Sequence, residues 1–283
     1  MNSPGPIELI IIGTLHSRHN TAKRYMPEAL RQILLALRPH LICTETEARH
    51  IGDDGYYKLD LEPESLMDKW PDGVVPDQVA RQLGIRQVSF ERDGRDQRYR
   101  ETRYFEREER AYAQFQELVS QLASSDPMCV EYKIAEMLDR AEKCQLLLDQ
   151  SAGPEIINSE AFDHVIRIKH SCSATLLPLL TKYGGYEEMI ADLRFYWEEW
   201  EDRNTIMADN LTRICGEHPG QRLVAVTGCE HRYALRDRLA GRPGIALREF
   251  WEVLDCVQQL PEASEQLDRL DEAAGASPRE EAR

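Results

Sequence analysis

The segment Glu8-Leu9-Ile10-Ile11-Ile12 shows no polar alternation after its first residue and stops at Gly13. A strand that is apolar on both faces is covered on both faces, which is the situation in a parallel sheet flanked by helices. Parallel neighbours need a crossover, and the following residues supply one. Pro27 suits a first helical position, Leu30, Ile33, Leu34 and Leu37 recur at three and four, and Pro39 stops the helix. A second strand at Leu41-Ile42-Cys43-Thr44-Glu45 completes a βαβ unit, expected to be right-handed.

After a polar loop over 52–70, a short helix around Gln78 to Leu83 leads to a third strand, Gln87-Val88-Ser89-Phe90. From about Arg98 to His218 helical patterns dominate. The clearest is the last, in which Ile190, Leu193, Trp197, Trp200, Asn204, Met207, Leu211 and Ile214 step by three and four. Strands return at Leu223-Val224-Ala225-Val226-Thr227 and Ile245-Ala246-Leu247, with a helix from about Tyr233 to Leu239 between them. The expected class is α/β, with a mainly parallel central sheet assembled from N- and C-terminal segments and a helical insertion forming a cap. Residues 1–97 and 219–260 are read as two parts of one α/β domain, and 98–218 as the insertion, its last helix packing on the sheet. Residues 261–283 lack apolar periodicity and are expected to form a disordered tail.

Net charge is −15, from 35 basic and 50 acidic side chains, and argues against a nucleic-acid partner, because neutralising phosphates requires a basic face. The arginines from Arg86 to Arg110 are interleaved with acids and read as a solvated, salt-bridged helix face, with a local anion-binding role as the alternative. No apolar run approaches the roughly 20 residues that span a bilayer, so no membrane partner is expected. Ile7 to Ile12 is too short, and lacks the basic lead, for a signal-peptide core. Seven scattered cysteines without a Cys-x-x-Cys pair fit a reducing, cytoplasmic setting. Nothing in the pattern sets an oligomeric state.

Two junctions repeat: Ile12-Gly13-Thr14-Leu15-His16 and Thr227-Gly228-Cys229-Glu230-His231. Each reads as strand, glycine, then histidine three positions later, with Gly13 and Gly228 as turn residues. Ligands bind in the crevice beyond the carboxyl ends of parallel strands, so both histidines are expected at one rim. Glu45 ends the second strand and reaches the same rim, and Glu47 shares its face by the period of two. Two imidazoles and a carboxylate can hold a divalent metal such as Mn, Co or Zn with a position open for water. Alternatively, His16 and Glu45 activate water directly. Arg203 either stabilises an oxyanion or pairs with an acid on its own helix. His19 is a further ligand or a solvated loop residue, and Cys229, beside Glu230, lacks the electropositive setting of a reactive thiol.

These residues resemble the TraB/Tiki superfamily, which groups TraB/GumN-like proteins, erythromycin esterase and the ChaN haem-binding lipoprotein. The resemblance rests on Gly13-Thr14-Leu15-His16, Pro39 to Glu45 with Glu47, Val88-Ser89-Phe90-Glu91-Arg92, Arg203-Asn204 with Met207, and Val226 to His231. It departs from the family pattern at Cys229, Glu230 and Asp202. The resemblance implies roles at the reaction centre for His16, Glu45 and His231, a substrate- or oxyanion-binding role for Arg203, and a strand-plus-arginine segment ending at Arg92, read as substrate-binding together with Glu47. The leading expectation is a metal-dependent, peptidase-like hydrolase acting on a peptide or a small ester or amide. The alternatives are a metal-independent esterase or lactonase, or a non-catalytic protein that binds a peptide or haem.

Overall fold

A computed structural model of the chain describes residues 5–58 and 66–254. The tail expected over 261–283 lies outside the described residues, as does part of the 52–70 loop. The strands are β1 (Ile7–Thr14), β2 (Leu41–Thr44), β3 (Arg86–Ser89), β4 (Arg222–Gly228) and β5 (Ile245–Arg248). They form one sheet in the order β3-β2-β4-β1-β5 with every pairing parallel. The fold is α/β. After β1 the chain moves to one side, towards β2 and β3, and after β4 it moves to the other, towards β5. The strand order therefore reverses between β1 and β4, which opens a crevice at their carboxyl ends.

The apolar run of β1 divides by the period of two. Ile10 and Ile12 pack with α1 (Pro27–Leu37) and α2 (Pro71–Leu83), while Ile7, Leu9 and Ile11 face the other layer. That second layer holds Met207, Ala208, Leu211 and Ile214 from a long helix, Glu187–Glu217. The helix α2 begins seven residues before the stretch read from the sequence (71 against 78). Pro71, Gly73 and Pro76 hide its start in the sequence. In the structure Pro71 sits at the first turn, where no N–H is needed, and Gly73 packs flat on the Trp70 ring, with no room for a Cβ.

Between β3 and β4 run α3 (Arg95–Glu101), α4 (Tyr104–Ser125), α5 (Val130–Ser151), α6 (Pro154–Ile157), α7 (Glu160–Leu180) and the long helix, α8. They have an apolar core of their own, with Phe115, Leu118, Leu138, Leu176 and Met189 among its members. At 31 residues and about 1.5 Å per residue, α8 is long enough to serve both cores. Its first turns close the helical layer and its last turns lie on the sheet. After β4 come α9 (Cys229–Leu239) and, beyond β5, α10 (Phe250–Val253). No described helix is long and apolar enough to cross a membrane.

Two polar clamps join the helical layer to the sheet. The side chain of Asn158 accepts from the Gly13 N–H at 2.6 Å and donates to the Gly13 carbonyl at 3.3 Å, pinning the end of β1. On α9, Arg232 is completely buried and pairs with Asp163 of α7 and with Glu249, which caps α10. Removing one member of a buried ion network leaves its partners desolvated without compensation, typically at a cost of about 3–5 kcal/mol. Arg232→Met is expected to lower unfolding free energy by about that much. Urea denaturation checks it, with an unchanged slope showing that the native state is otherwise retained.

Candidate active site

His16 follows β1 in a single 3-10 turn (His16–Asn20) and has φ 51, the left-handed region that a non-glycine residue rarely adopts. Three contacts hold it there. Buried His19 accepts from the Leu15 N–H at 3.0 Å through Nε2 and donates from Nδ1 to the Tyr25 carbonyl at 2.6 Å, closing the turn. His19 is thus neither a ligand nor a solvated residue but the internal brace of the loop, and burial pushes its pKa below the usual value. The His16 ring then points its Nδ1 at Asp72 Oδ2, 2.5 Å away, and Thr14 Oγ1 donates to the same oxygen at 3.1 Å. A third constraint is steric. A Cβ on Gly228 would lie 2.4 Å from His16 Nε2, so only glycine leaves space for the imidazole. Gly13 serves the same purpose against Cys229, where a Cβ would meet the Cα at 3.0 Å. The expected glycine turns are in fact close approaches of strand ends.

Glu45 is placed by register. Thr44 pairs with Val226 across β2 and β4, so Glu45 sits beside Thr227, whose hydroxyl donates to Glu45 Oε2 at 2.5 Å. The Gly228 N–H donates to the same oxygen at 2.9 Å. Oε1 is left facing the cleft, 3.8 Å from His16 Nε2 and 3.7 Å from Arg203 Nη2. Burial acts to lower the pKa of His16, but the charge and hydrogen bond of Asp72, with the charge of Glu45, outweigh it and raise the value to about 9. His16 is therefore an imidazolium at neutral pH.

His231 takes a different part from the one its motif suggests. The helix α9 starts at Cys229 rather than near Tyr233, so His231 lies in a first helical turn, buried and stacked on Trp200 with centroids 4.2 Å apart. Its Nδ1 faces Asn204 Oδ1 at 2.8 Å and its Nε2 faces Arg203 Nη1 at 2.9 Å. Burial first, then the Arg203 charge, hold its pKa well below the usual value, so the ring is neutral. A neutral ring that donates to Asn204 has one lone pair left, and that pair accepts from Arg203. Arg203 also grips Glu91 through Nε, at 3.0 Å to Oε1, and through Nη2. Glu91 is fully buried and receives Arg95 as well, at 2.9 Å.

These contacts decide whether His16, Glu45 and His231 can hold a divalent cation, and they do not fit one. Both nitrogens of His231 are engaged, one of them by a guanidinium, and that same guanidinium stands beside Glu45 where a second cation would be repelled. Among the described residues, Glu47, His50 and Asp96 are the group that brings possible ligand atoms within 4.8 Å of one another. Arg49 already pairs with both carboxylates there, and Arg95 pairs with Asp96.

The remaining candidates stand back from the cleft. Buried Glu47 accepts from the Asp96 N–H at 2.6 Å and ties the loop after β2 to α3. Arg92 pairs with Glu199 and Asp202 on α8 and so joins the two layers. Cys229 is buried and its thiol pKa is raised well above the usual value, chiefly by burial, the opposite of the setting that favours a reactive thiolate. The cleft itself, about 840 Å³, is lined by His16, Glu45 and Arg203 together with Arg95, Tyr99 and Trp200. Reading from sequence missed Asp72, whose trace is its place after Trp70-Pro71 at a helix start, and named Glu91 and Asn204 only as members of matching motifs, without a role.

No protein-family model matches the chain, so the TraB/Tiki resemblance has no support from that side, and no curated protein matches it in sequence. Among solved structures, a substituted erythromycin esterase, EreC, in its open conformation is similar over 85% of this chain and 68% of that one, at 12% identity and a TM-score of 0.36. A likeness this distant leaves the chemistry to the geometry of the site.

Two measurements test that geometry. In an NMR titration the His16 ring is expected to titrate near pH 9, and Asp72→Asn to bring its midpoint down by a unit or more. A folded-state pKa above the unfolded value means the contribution to stability is complete below about pH 6.5 and is lost as pH rises through about 9. The stability gap between the parent and His16→Ala should close over that window in urea titrations. Gly228→Ala is expected to displace the His16 ring, seen as a fall in its pKa with melting temperature changed by only a few degrees.

Proposed function

We propose that this chain is a metal-independent hydrolase that cleaves an ester or lactone bond in a small molecule, with His16 as the base that activates water. The observation that carries this reading is the Asp72–His16–Glu45 arrangement, which presents one imidazole nitrogen to an open cleft while fixing the other on a buried carboxylate. A histidine whose Nδ1–H is held by a buried acid has its Nε2 available to take a proton, and the same acid stabilises the imidazolium that results.

In this scheme a water lies against His16 Nε2 and Glu45 Oε1. As the water attacks the carbonyl carbon, its proton passes to Nε2, and the carbonyl oxygen becomes an oxyanion. Arg203 has five N–H donors, and its bonds to Glu91 and His231 leave some facing the cleft. Those donors are held rigidly and cost no reorganisation when charge develops, which is the condition for effective oxyanion stabilisation. Collapse of the intermediate expels the alkoxide, which takes the proton back from His16. His231 acts by positioning Arg203. Aromatic walls at Tyr99, Tyr104 and Trp200 favour a substrate with an apolar body. The Arg203 contact with His231 weighs against the metal-dependent peptidase expected from the sequence.

Because His16 is protonated at neutral pH, the active form is a minority there. Turnover of activated esters should rise about tenfold per pH unit and level off near pH 9. His16→Ala is expected to lower kcat/KM by about 10²–10⁴, and chelators should have no effect. A panel of esters and lactones assayed from pH 6 to 10, with and without EDTA, checks all three. Loss of activity on chelation with recovery on adding Mn, Co or Zn would overturn the reading, as would activity indifferent to His16.

A further inference from the structure

A second cavity, about 560 Å³, lies inside the helical layer, where the α5–α7 and α4–α8 pairs each pack closely but meet each other sparsely. Its size is that of a small-molecule site. The base is apolar, with Ala111, Phe115, Leu138 and Leu176 from the core of the insertion. Its sides carry aromatic faces, among them Tyr112, Tyr132, Tyr196 and Trp197.

The charges on its wall are unbalanced. Lys169 is the ammonium there, and it is already committed to Glu230 at 2.7 Å and to Gln145 at 3.0 Å. Glu108 and Glu142 face this pair from α4 and α5, and neither has an ion-pair partner among the described residues. Glu142 is half-buried and Glu108 exposed, and partial desolvation raises the pKa of both above the ordinary carboxylate value. Aromatic faces beside uncompensated carboxylates make a setting for a positive charge carried on an apolar body, since ring quadrupoles and carboxylates both attract it.

We propose that this cavity binds an apolar ligand bearing an ammonium group, with the hydrocarbon against Phe115 and Leu176 and the cation between Glu108, Glu142 and the aromatic rings. The site is separate from the water-activating histidine, and binding there needs no hydrolysis. It adjoins the cleft that holds His16, since Glu108, Tyr196 and Trp200 line both spaces.

The test is calorimetric titration of the full chain with octyltrimethylammonium, octanol and octanoate below their aggregation concentrations. The cation is expected to bind about tenfold more tightly than the alcohol, and octanoate more weakly than either. The double substitution Glu108→Gln with Glu142→Gln should reduce the preference for the cation over the alcohol to less than about threefold. Leu176→Trp, which fills the base, should weaken all three by more than tenfold. His16→Ala should bind all three as the parent does, which separates failure of this site from failure of the hydrolase reading. Equal affinities for the three probes, absence of binding, a preference that survives the double substitution, or cation binding lost in His16→Ala would each overturn the proposal.

Discussion

Everything at the candidate site depends on how β1 and β4 pair. The parallel register sets Gly13 against Thr227 and Thr14 against Gly228, so the two strands end side by side. That places the space left by a missing side chain at Gly228 directly beside the His16 ring. With β2 on the far side of β4, the same register brings Glu45 to the Thr227 hydroxyl and the Gly228 N–H. One set of backbone hydrogen bonds thereby fixes His16 and Glu45 relative to each other. A slip of one residue would turn the side chains to the opposite face and separate them.

A second constraint comes from the helical layer. Arg203 extends from α8 to buried Glu91 beyond β3, and is oriented by His231 at the start of α9. Arg92 and Arg98 bind Glu199 on the same helix. The arginines between Arg86 and Arg110 are thus less a solvated face than a set of ties between the loop after β3, α3 and α8. Such ties matter here because a guanidinium held by two partners cannot swing to neutralise Glu45 completely. Glu45 then lies within 4 Å of both an imidazolium and a guanidinium, each of which has a closer carboxylate partner of its own.

The two strand-glycine-histidine junctions show what spacing can and cannot convey. Both histidines do arrive near one rim, as parallel strands require. Yet one lies in a strained 3-10 turn with its ring partly open to the cleft, and the other in a buried helical turn facing Asn204 and Arg203. Of the two, only His16 lines the cleft. Identical spacing gave different environments because the residues after each glycine enter different local structures: His19 and Tyr25 brace one loop, whereas Cys229 and Glu230 open a helix.

What the sequence determined by itself was the architecture: the apolar run of β1, the βαβ unit, the long helix and the return of strands after residue 219 are all local patterns of hydrophobicity, and burial acts on them wherever they occur. It also determined that His16, Glu45 and His231 lie at strand ends. Which of them is charged, which is accessible and which partner holds each was decided only by tertiary structure. Asp72 and His16 are separated by 56 residues, Arg203 and Glu91 by 112, and Asn158 and Gly13 by 145. Proton affinity and orientation depend on such neighbours through charge and desolvation, which act across a few ångströms of space and leave no periodic mark along the chain.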